Sequence, residues 1–188
     1  MKQVIQICCK NNKKTQNIAI GSSLSDAFRE FNLNMPYGPI CAKVNNKVEG
    51  MHYRVYRSKT VEFLDMRSAS ASRNYTRTLF FVLCKAVHDL YRNAKVVIDI
   101  PVSNGYYVDL KLDHAVTTAD VDRIRQRMQQ IIDARMPVRR YEVLTEKALA
   151  VFREKGDEAK VKLLENMGSL YTTYYKLDDY VDYYYGSM

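Results

Sequence analysis

TRTLFFVLCKAVHDLY, residues Thr76 to Tyr91, is the stretch on which the fold turns. Leu79, Phe80, Val82, Leu83, Ala86, Val87, Leu90 and Tyr91 cover most of a helix surface, while Lys85, His88, Asp89 and Arg92 recur at helical spacing on one narrow polar stripe. A helix that apolar is expected to be buried. Two strands follow it: the β-branched run KVVIDIP (Lys95 to Pro101) and the partly alternating GYYVDLKL (Gly105 to Leu112). Together these stretches predict a central helix packed on a sheet.

Working outward toward the amino terminus, Lys2 to Cys8 alternates weakly as a strand, Asn11 to Lys14 form a hairpin turn, and Thr15 to Ile20 returns. Leu24, Ala27, Phe28 and Phe31 then share one face of a short helix over Leu24 to Phe31. Met35 to Pro39, with two prolines and Gly38, is loop. Ile40 to Val44 and Val61 to Leu64 supply further strands, with NNKVEG as the turn after the first. A hairpin, a helix across it and then further strands is the β-grasp order. DMRSASASRN, Asp65 to Asn74, is poor in large apolar residues, so residues 67–74 read as a linker between a first domain, 1–66, and a second, 75–188.

On the carboxyl-terminal side, Thr117 or Thr118 caps a helix running to Ala134, whose expected buried face is Val121, Ile124, Met128, Ile131 and Ile132. Pro137 stops it and Val138 to Val143 is extended. Thr145 to Glu154 and Asp157 to Asn166 form two more helices, with Gly156 between them. Ser169 to Tyr185 reads as two strands joined near Leu177 and Asp178. In the last of these, alternation puts Tyr180, Asp182 and Tyr184 on one face and Val181, Tyr183 and Tyr185 on the other. So many tyrosines can be core and rim packing, or rings on which bases stack.

The 188 residues, 47% hydrophobic and 27% charged, fit a soluble globular class with room for two small domains. No signal peptide opens the chain and no run approaches a membrane span, so the cytoplasm is the expected compartment and no membrane partner is expected. Cys8, Cys9, Cys41 and Cys84 have no CxxC spacing and read as reduced thiols; with only His52, His88 and His114 beside them, no metal site is expected. The net charge of +8 is uneven: 12 Lys and Arg face 5 Asp and Glu up to Tyr75, against 17 and 16 from Thr76 onward. The basic first domain therefore supplies the candidate RNA contacts: Lys10, Lys13, Lys14, Lys43, Lys47, Arg54, Arg57 and Lys59, although a scattered solvated surface explains the same charge.

The succession of the central helix, KVVID, NGYYVDL, TTADVDRIRQRMQQII, FREKGDEAKVKLLE and YKLDDYVDYYYGSM resembles the second, editing-type domain of threonyl-tRNA synthetase, shared with alanyl-tRNA synthetase. Ahead of it, Ile40 to Asp65 with AKVNNKVEG resembles the TGS domain, a ubiquitin-like β-grasp. The resemblance implies an α+β chain: a TGS-like domain followed by an editing-like domain that is truncated at its carboxyl end. The family's editing signature is HxxxH on the central helix with CxxxH near the end. Anchored on KAVHDLY and DDYVDYYYG, those positions are Arg77 and Phe81, then Tyr184 and Met188.

Arginine stays protonated and phenylalanine has no lone pair, so the family's water activation is not expected here, and no catalytic residue is assigned. A new chemistry in the same cleft is the alternative. The resemblance carries over Tyr106, Tyr107 and Asp109 from the GFYYD segment, Lys160, and the Asp182 of EYVD as a candidate ligand cleft; Lys160 with Asp182 or Asp109 could equally be a structural ion pair.

VNNKVEG, KGDEAKVKLLE and VDYYYGS, together with the lost histidines, also resemble the amino-terminal part of bacterial uridine or nucleoside kinases. That resemblance implies a fragment ending at Met188, a regulatory module that binds RNA or nucleotide, and a downstream P-loop kinase domain as its partner. ATP and magnesium are expected only there, since these residues contain no GxxxxGKS/T or GxGxxG stretch and no cofactor site. The other reading is an aminoacyl-tRNA deacylase with a diverged site. The oligomeric state is not legible.

Overall fold

The computed structural model describes residues 3–103, 105–184 and 186–188 of a mixed α+β chain. The chain divides into two compact units, Met1–Thr78 with Gly186–Met188, and Leu79–Tyr185.

In the first unit, β1 (Val4–Cys9) and β2 (Lys14–Ala19) form the expected hairpin, paired from Val4 opposite Ala19 to Cys9 opposite Lys14. The expected start of β1 at Lys2 lies outside the described residues. Helix α1 (Leu24–Phe31) begins at a capping box, in which Ser23 and Asp26 satisfy each other's backbone N–H, and ends at Asn32 in the left-handed region. Strands β3 (Cys41–Val44), β4 (Lys47–Gly50) and β5 (Lys59–Leu64) complete a five-stranded sheet ordered β2-β1-β5-β3-β4, parallel between β1 and β5 and antiparallel elsewhere. NNKVEG is thus not all turn. Asn45 and Asn46, with φ of 46° and 71°, make a two-residue hairpin connection by themselves, and KVEG pairs with β3. Ile7, Cys9, Val61, Phe63, Ala42 and Val44 pack under Leu24, Ala27 and Phe31 as the core.

The expected linker is instead the start of a long helix, α2 (Ala69–Leu90). Ala69 and Ala71 favour the helix, and Ala71 is buried against Cys41 and Leu64, so small residues here mark a close approach rather than a flexible joint. The last three residues also belong to this unit. Asn74 donates to the Ser187 hydroxyl at 3.1 Å, and the Gly50 Cα approaches so closely that a Cβ there would lie 2.7 Å from the Met188 carbonyl oxygen.

In the second unit, β6 (Lys95–Val102) and β7 (Gly105–Lys111) form an antiparallel ribbon with an irregularity between Ile98 and Ile100. After α3 (Thr118–Asp133), capped by Thr117, come β8 (Val138–Leu144), α4 (Thr145–Glu154), α5 (Glu158–Met167), β9 (Tyr171–Leu177) and β10 (Tyr180–Asp182). The second sheet runs β10-β9-β8, all antiparallel. Ala148, Phe152, Leu164 and Val181 join α4, α5 and β10 in one cluster. Along α3 the expected apolar face is only half used: Ile124 and Ile131 are buried, whereas Val121 and Ile132 are about half exposed and the buried polar residue is Asp120. No helix among the described residues is long and apolar enough to cross a membrane.

Candidate functional site

The four editing-type positions do not sit in like surroundings. In the first unit, Arg77 donates from Nη1 to the Ser187 carbonyl at 3.1 Å and lies against Gly186, where a Cβ would come within 2.9 Å of that nitrogen; Met188 is buried. Arg77 is therefore used to hold the chain's last residues. In the second unit, Phe81 on α2 is fully buried, with the rings of Tyr180 and Tyr184 at 5.3 and 5.7 Å. Phe81, Tyr180 and Tyr184 form an aromatic cluster.

Around that cluster stand the ionisable groups of β10, α5 and α2. Asp182 has three partners: Lys160 Nζ lies 2.7 Å from Oδ1, the Tyr183 amide donates to Oδ1 at 2.6 Å and the Tyr180 hydroxyl donates to Oδ2 at 2.8 Å. Lys160 also meets Asp157, the cap of its own helix, at 2.9 Å, and its ammonium sits 6.0 Å from the centre of the Phe152 ring. Burial alone would lower the Lys160 pKa, but Asp182 and then Asp157 outweigh it and the pKa is raised. Burial pushes the Cys84 thiol up to about 11, with the Asp182 charge adding to the shift. Burial likewise raises both phenols, with Asp182 the next influence on Tyr180 and Cys84 on Tyr184. At neutral pH this corner holds Lys160 between two carboxylates, Asp182 and Asp157, and three neutral, partly buried O–H and S–H groups. A general base needs a free, accessible lone pair, and here Asp182 already has three partners while Asp157 is held by Lys160. Tyr180 joins this cluster from the strand face that alternation gave it, whereas Cys84 was not among the expected site residues. Cys84, three residues past Phe81, had a helical-spacing signal that could have found it.

The other carried-over residues lie on the ribbon. Asp109 is paired with Lys111 at 3.6 Å, and no ion pair joins it to Lys160 among the described residues. Tyr106 meets Phe80 edge-on at 4.8 Å, while Tyr107 is 60% exposed. The structure thus brings Lys160 and Asp182 together directly and gives Tyr106, Tyr107 and Asp109 other neighbours. Tyr180 and Asp182 do share a face of β10 as alternation implies, and Val181 turns to the core; Tyr185 lies outside the described residues.

Two further polar clusters were not foreseen. Lys85, on the helix's polar stripe, is only 2% exposed: its ammonium meets Asp89 at 2.6 Å, Asp179 at 2.5 Å and Asp178 at 3.4 Å, while Arg127 holds the other side of Asp89 at 2.8 Å. His88, Asp89 and Asp179 bring three possible metal-ligand atoms within 4.8 Å, but the lysine already supplies positive charge to both carboxylates. The second cluster is built on Asp120, which is buried and accepts from Thr117, from the Tyr91 hydroxyl at 2.8 Å and from Arg123 at 3.0 Å. His114 Nε2 lies 3.2 Å from the same carboxylate, and its Nδ1 lies 2.6 Å from Asp113. The Thr117 hydrogen bonds, then that of Tyr91, hold Asp120 well below the usual carboxylate range, and Asp113 and then Asp120 raise His114.

Of the basic residues of the first unit, Lys47 is paired with Glu49, Arg54 donates to the Gly21 carbonyl at 2.7 Å and Lys10 donates to the Asn46 side chain at 3.4 Å. Lys13 lies in the first turn, Lys14 starts β2, and Arg57 precedes β5, where Lys59 is the first residue. Lys13, Lys14, Lys43, Arg57 and Lys59 form no ion pair among the described residues.

No protein-family model matches the chain. It is 32% identical over 145 residues to the threonine–tRNA ligase of Syntrophotalea carbinolica, covering 76% of this chain and 23% of that protein. It is 27% identical over 150 residues to threonine–tRNA ligase 1 of Bacillus subtilis, 80% of this chain and 23% of that protein. With the threonine–tRNA ligase of Clostridium kluyveri the match reaches 180 residues at 24% identity, 95% and 28% of the two chains. The chain spans about a quarter of the length of these relatives. They are tRNA ligases, and this corrects the expectation of a uridine or nucleoside kinase. The similarity supports a threonyl-tRNA-synthetase-like region on a mixed α+β scaffold.

Proposed function

We propose that the chain is a tRNA-binding region of a threonyl-tRNA-synthetase-type protein, in which a TGS-like β-grasp unit precedes an editing-type unit whose water-activating groups have given way to aromatic packing. The observation that carries this reading is the similarity to threonine–tRNA ligases, which in the longest of these matches covers 95% of the chain. The sheet order β2-β1-β5-β3-β4 with α1 after the first hairpin supports the β-grasp assignment. The buried Phe81 and the Asp182 held by three partners support binding without hydrolysis at those positions. A tRNA partner would be met in the cytoplasm.

A deacylase with a diverged site is the second reading, and the close Lys160–Asp182 pair beside Tyr180 favours it. Water would attack the ester carbonyl that joins amino acid to tRNA, and the tRNA hydroxyl would leave with the proton. Asp182 could take that proton only after release from Lys160. Binding of charged and uncharged tRNA, followed by deacylation of mischarged tRNA by the wild type and by Asp182→Asn, tests both. Binding without turnover is the expected result. Turnover that Asp182→Asn abolishes would replace it with the second reading, and absence of binding at low salt would overturn both.

A further inference from the structure

The core residues Ile7, Cys9, Val61, Phe63, Ala42 and Val44 all point to the α1 side of the first sheet, so their strand neighbours Gln6, Cys8, Thr60 and Lys43 lie on the other side. Part of that second face is covered where Ala71 packs on Cys41 and Leu64. The rest is open, and there a groove of about 310 Å³ is lined by Gln6, Cys8, Thr15, Asn45, Ser58, Lys59 and Thr60.

The groove's hydrogen bonding is oriented. The Ser58 hydroxyl accepts from the Gln6 amide at 3.3 Å, leaving its own proton to donate. The Asn45 side-chain oxygen accepts from the Thr60 amide at 3.0 Å, which fixes the side-chain NH2 as the outward group. Lys10 reaches Asn46, next to that asparagine, and Lys43 and Lys59 have no ion-pair partner among the described residues. Glu62, opposite Lys43 in the β3–β5 pairing, is the one carboxylate on β5.

Resting on the tRNA reading above, we infer that this open sheet face is where the first unit holds the tRNA sugar–phosphate backbone, with Lys10, Lys43 and Lys59 neutralising phosphates and the Ser58 and Asn45 donors meeting phosphate or ribose oxygens. A protein partner fits less well, since the core of a protein interface is apolar, and this groove is lined mostly by polar side chains with the cation of Lys59 among them. Backbone contacts of this kind position an RNA without reading its sequence.

The test uses the full chain and fluorescently labelled tRNA. Replacing Lys10, Lys43 and Lys59 together by Gln is expected to weaken binding about tenfold or more at low salt, and to reduce the slope of log affinity against log salt by about 2. Replacing Arg29, Lys47 and Arg73 together by Gln removes the same charge elsewhere in the unit and is expected to change affinity by less than about threefold. Cys8 gives an independent readout: it is exposed while Cys9 and Cys41 are buried, so bound tRNA should slow its alkylation. Equal weakening by the two triple variants, or alkylation of Cys8 at an unchanged rate on saturation with tRNA, would overturn the assignment of the groove alone. Absence of tRNA binding by the wild type would overturn the tRNA reading itself.

Discussion

The two units use charge in opposite ways. In the first, Lys and Arg outnumber Asp and Glu, and Lys13, Lys14, Lys43, Arg57 and Lys59 have no ion-pair partner among the described residues. In the second, charges are nearly balanced and turned inward: Lys85, Arg127 and Lys160 join Asp89, Asp179 and Asp182 in contacts of 2.5 to 2.8 Å. Exposed cations keep their field available to a polyanion, whereas paired ones cancel it locally and restrain side chains instead. The second unit is thus the one whose polar groups are committed to structure. The first has the cations without ion-pair partners among the described residues.

The comparison is broken most severely through the aromatic cluster. Phe81→Ala removes a fully buried ring and should cost about 3–5 kcal/mol, as Phe63→Ala should in the core of the first unit. Urea unfolding followed by circular dichroism checks this, and a loss below about 1 kcal/mol would show that the ring at Phe81 is not a structural replacement.

Next in size is the buried lysine. Lys85→Ala leaves Asp89 and Asp179 without their shared cation, but the Asp179 side chain is 65% exposed and can rehydrate, so the cost is put at about 2 kcal/mol rather than that of a fully buried pair. Lys43→Ala in the first unit should stay within about 0.5 kcal/mol. Equal effects from the two lysines in the same unfolding assay would erase the distinction between inward and outward charge.

The smallest effect is a pH dependence of the second unit. Asp120 is depressed in the folded state, so its contribution is present above its unfolded value near pH 4 and is lost as pH falls through the folded value. His114 is raised, so its contribution is full below about pH 6.5 and is lost as pH rises through the folded value. These two groups together make stability highest between roughly pH 4 and 6.5. His114→Gln should remove the decline on the alkaline side and leave the acid limb. Unfolding midpoints measured from pH 3 to 9 check the signs, and an unchanged alkaline limb in that variant would show that His114 is not its source.

Much of the architecture was legible where a local rule had no rival. Ser23 and Asp26 mark the start of α1, and the apolar period sets its extent, so Leu24 to Phe31 is both the expected and the observed helix. The same holds for α4 at Thr145–Glu154. Composition misled where two structures share it. The Ser and Ala of residues 67–74 suit a flexible joint or a helix start pressed against a sheet, and only the Cys41 and Leu64 that bury Ala71 distinguish them. The candidate cleft was half legible: Lys160 and Asp182 meet, but Asp109 has a closer cation in Lys111, two residues along its own strand.

What the sequence by itself determined is the list of chemistries available: the residue types that stand at Arg77, Phe81, Tyr184 and Met188, a basic first unit, and the succession of helices and strands. Those are properties of side chains and short-range periodicity, which need no partner to be read. Only the tertiary structure decided which charges are free. Lys85 and Lys43 are alike in sequence, each one lysine among apolar neighbours; three carboxylates converge on the first from Asp89 and the β9–β10 turn, and no carboxylate comes within ion-pair distance of the second among the described residues. Coulombic pairing and desolvation depend on distances between residues far apart in the chain, and those distances exist only once the chain has folded.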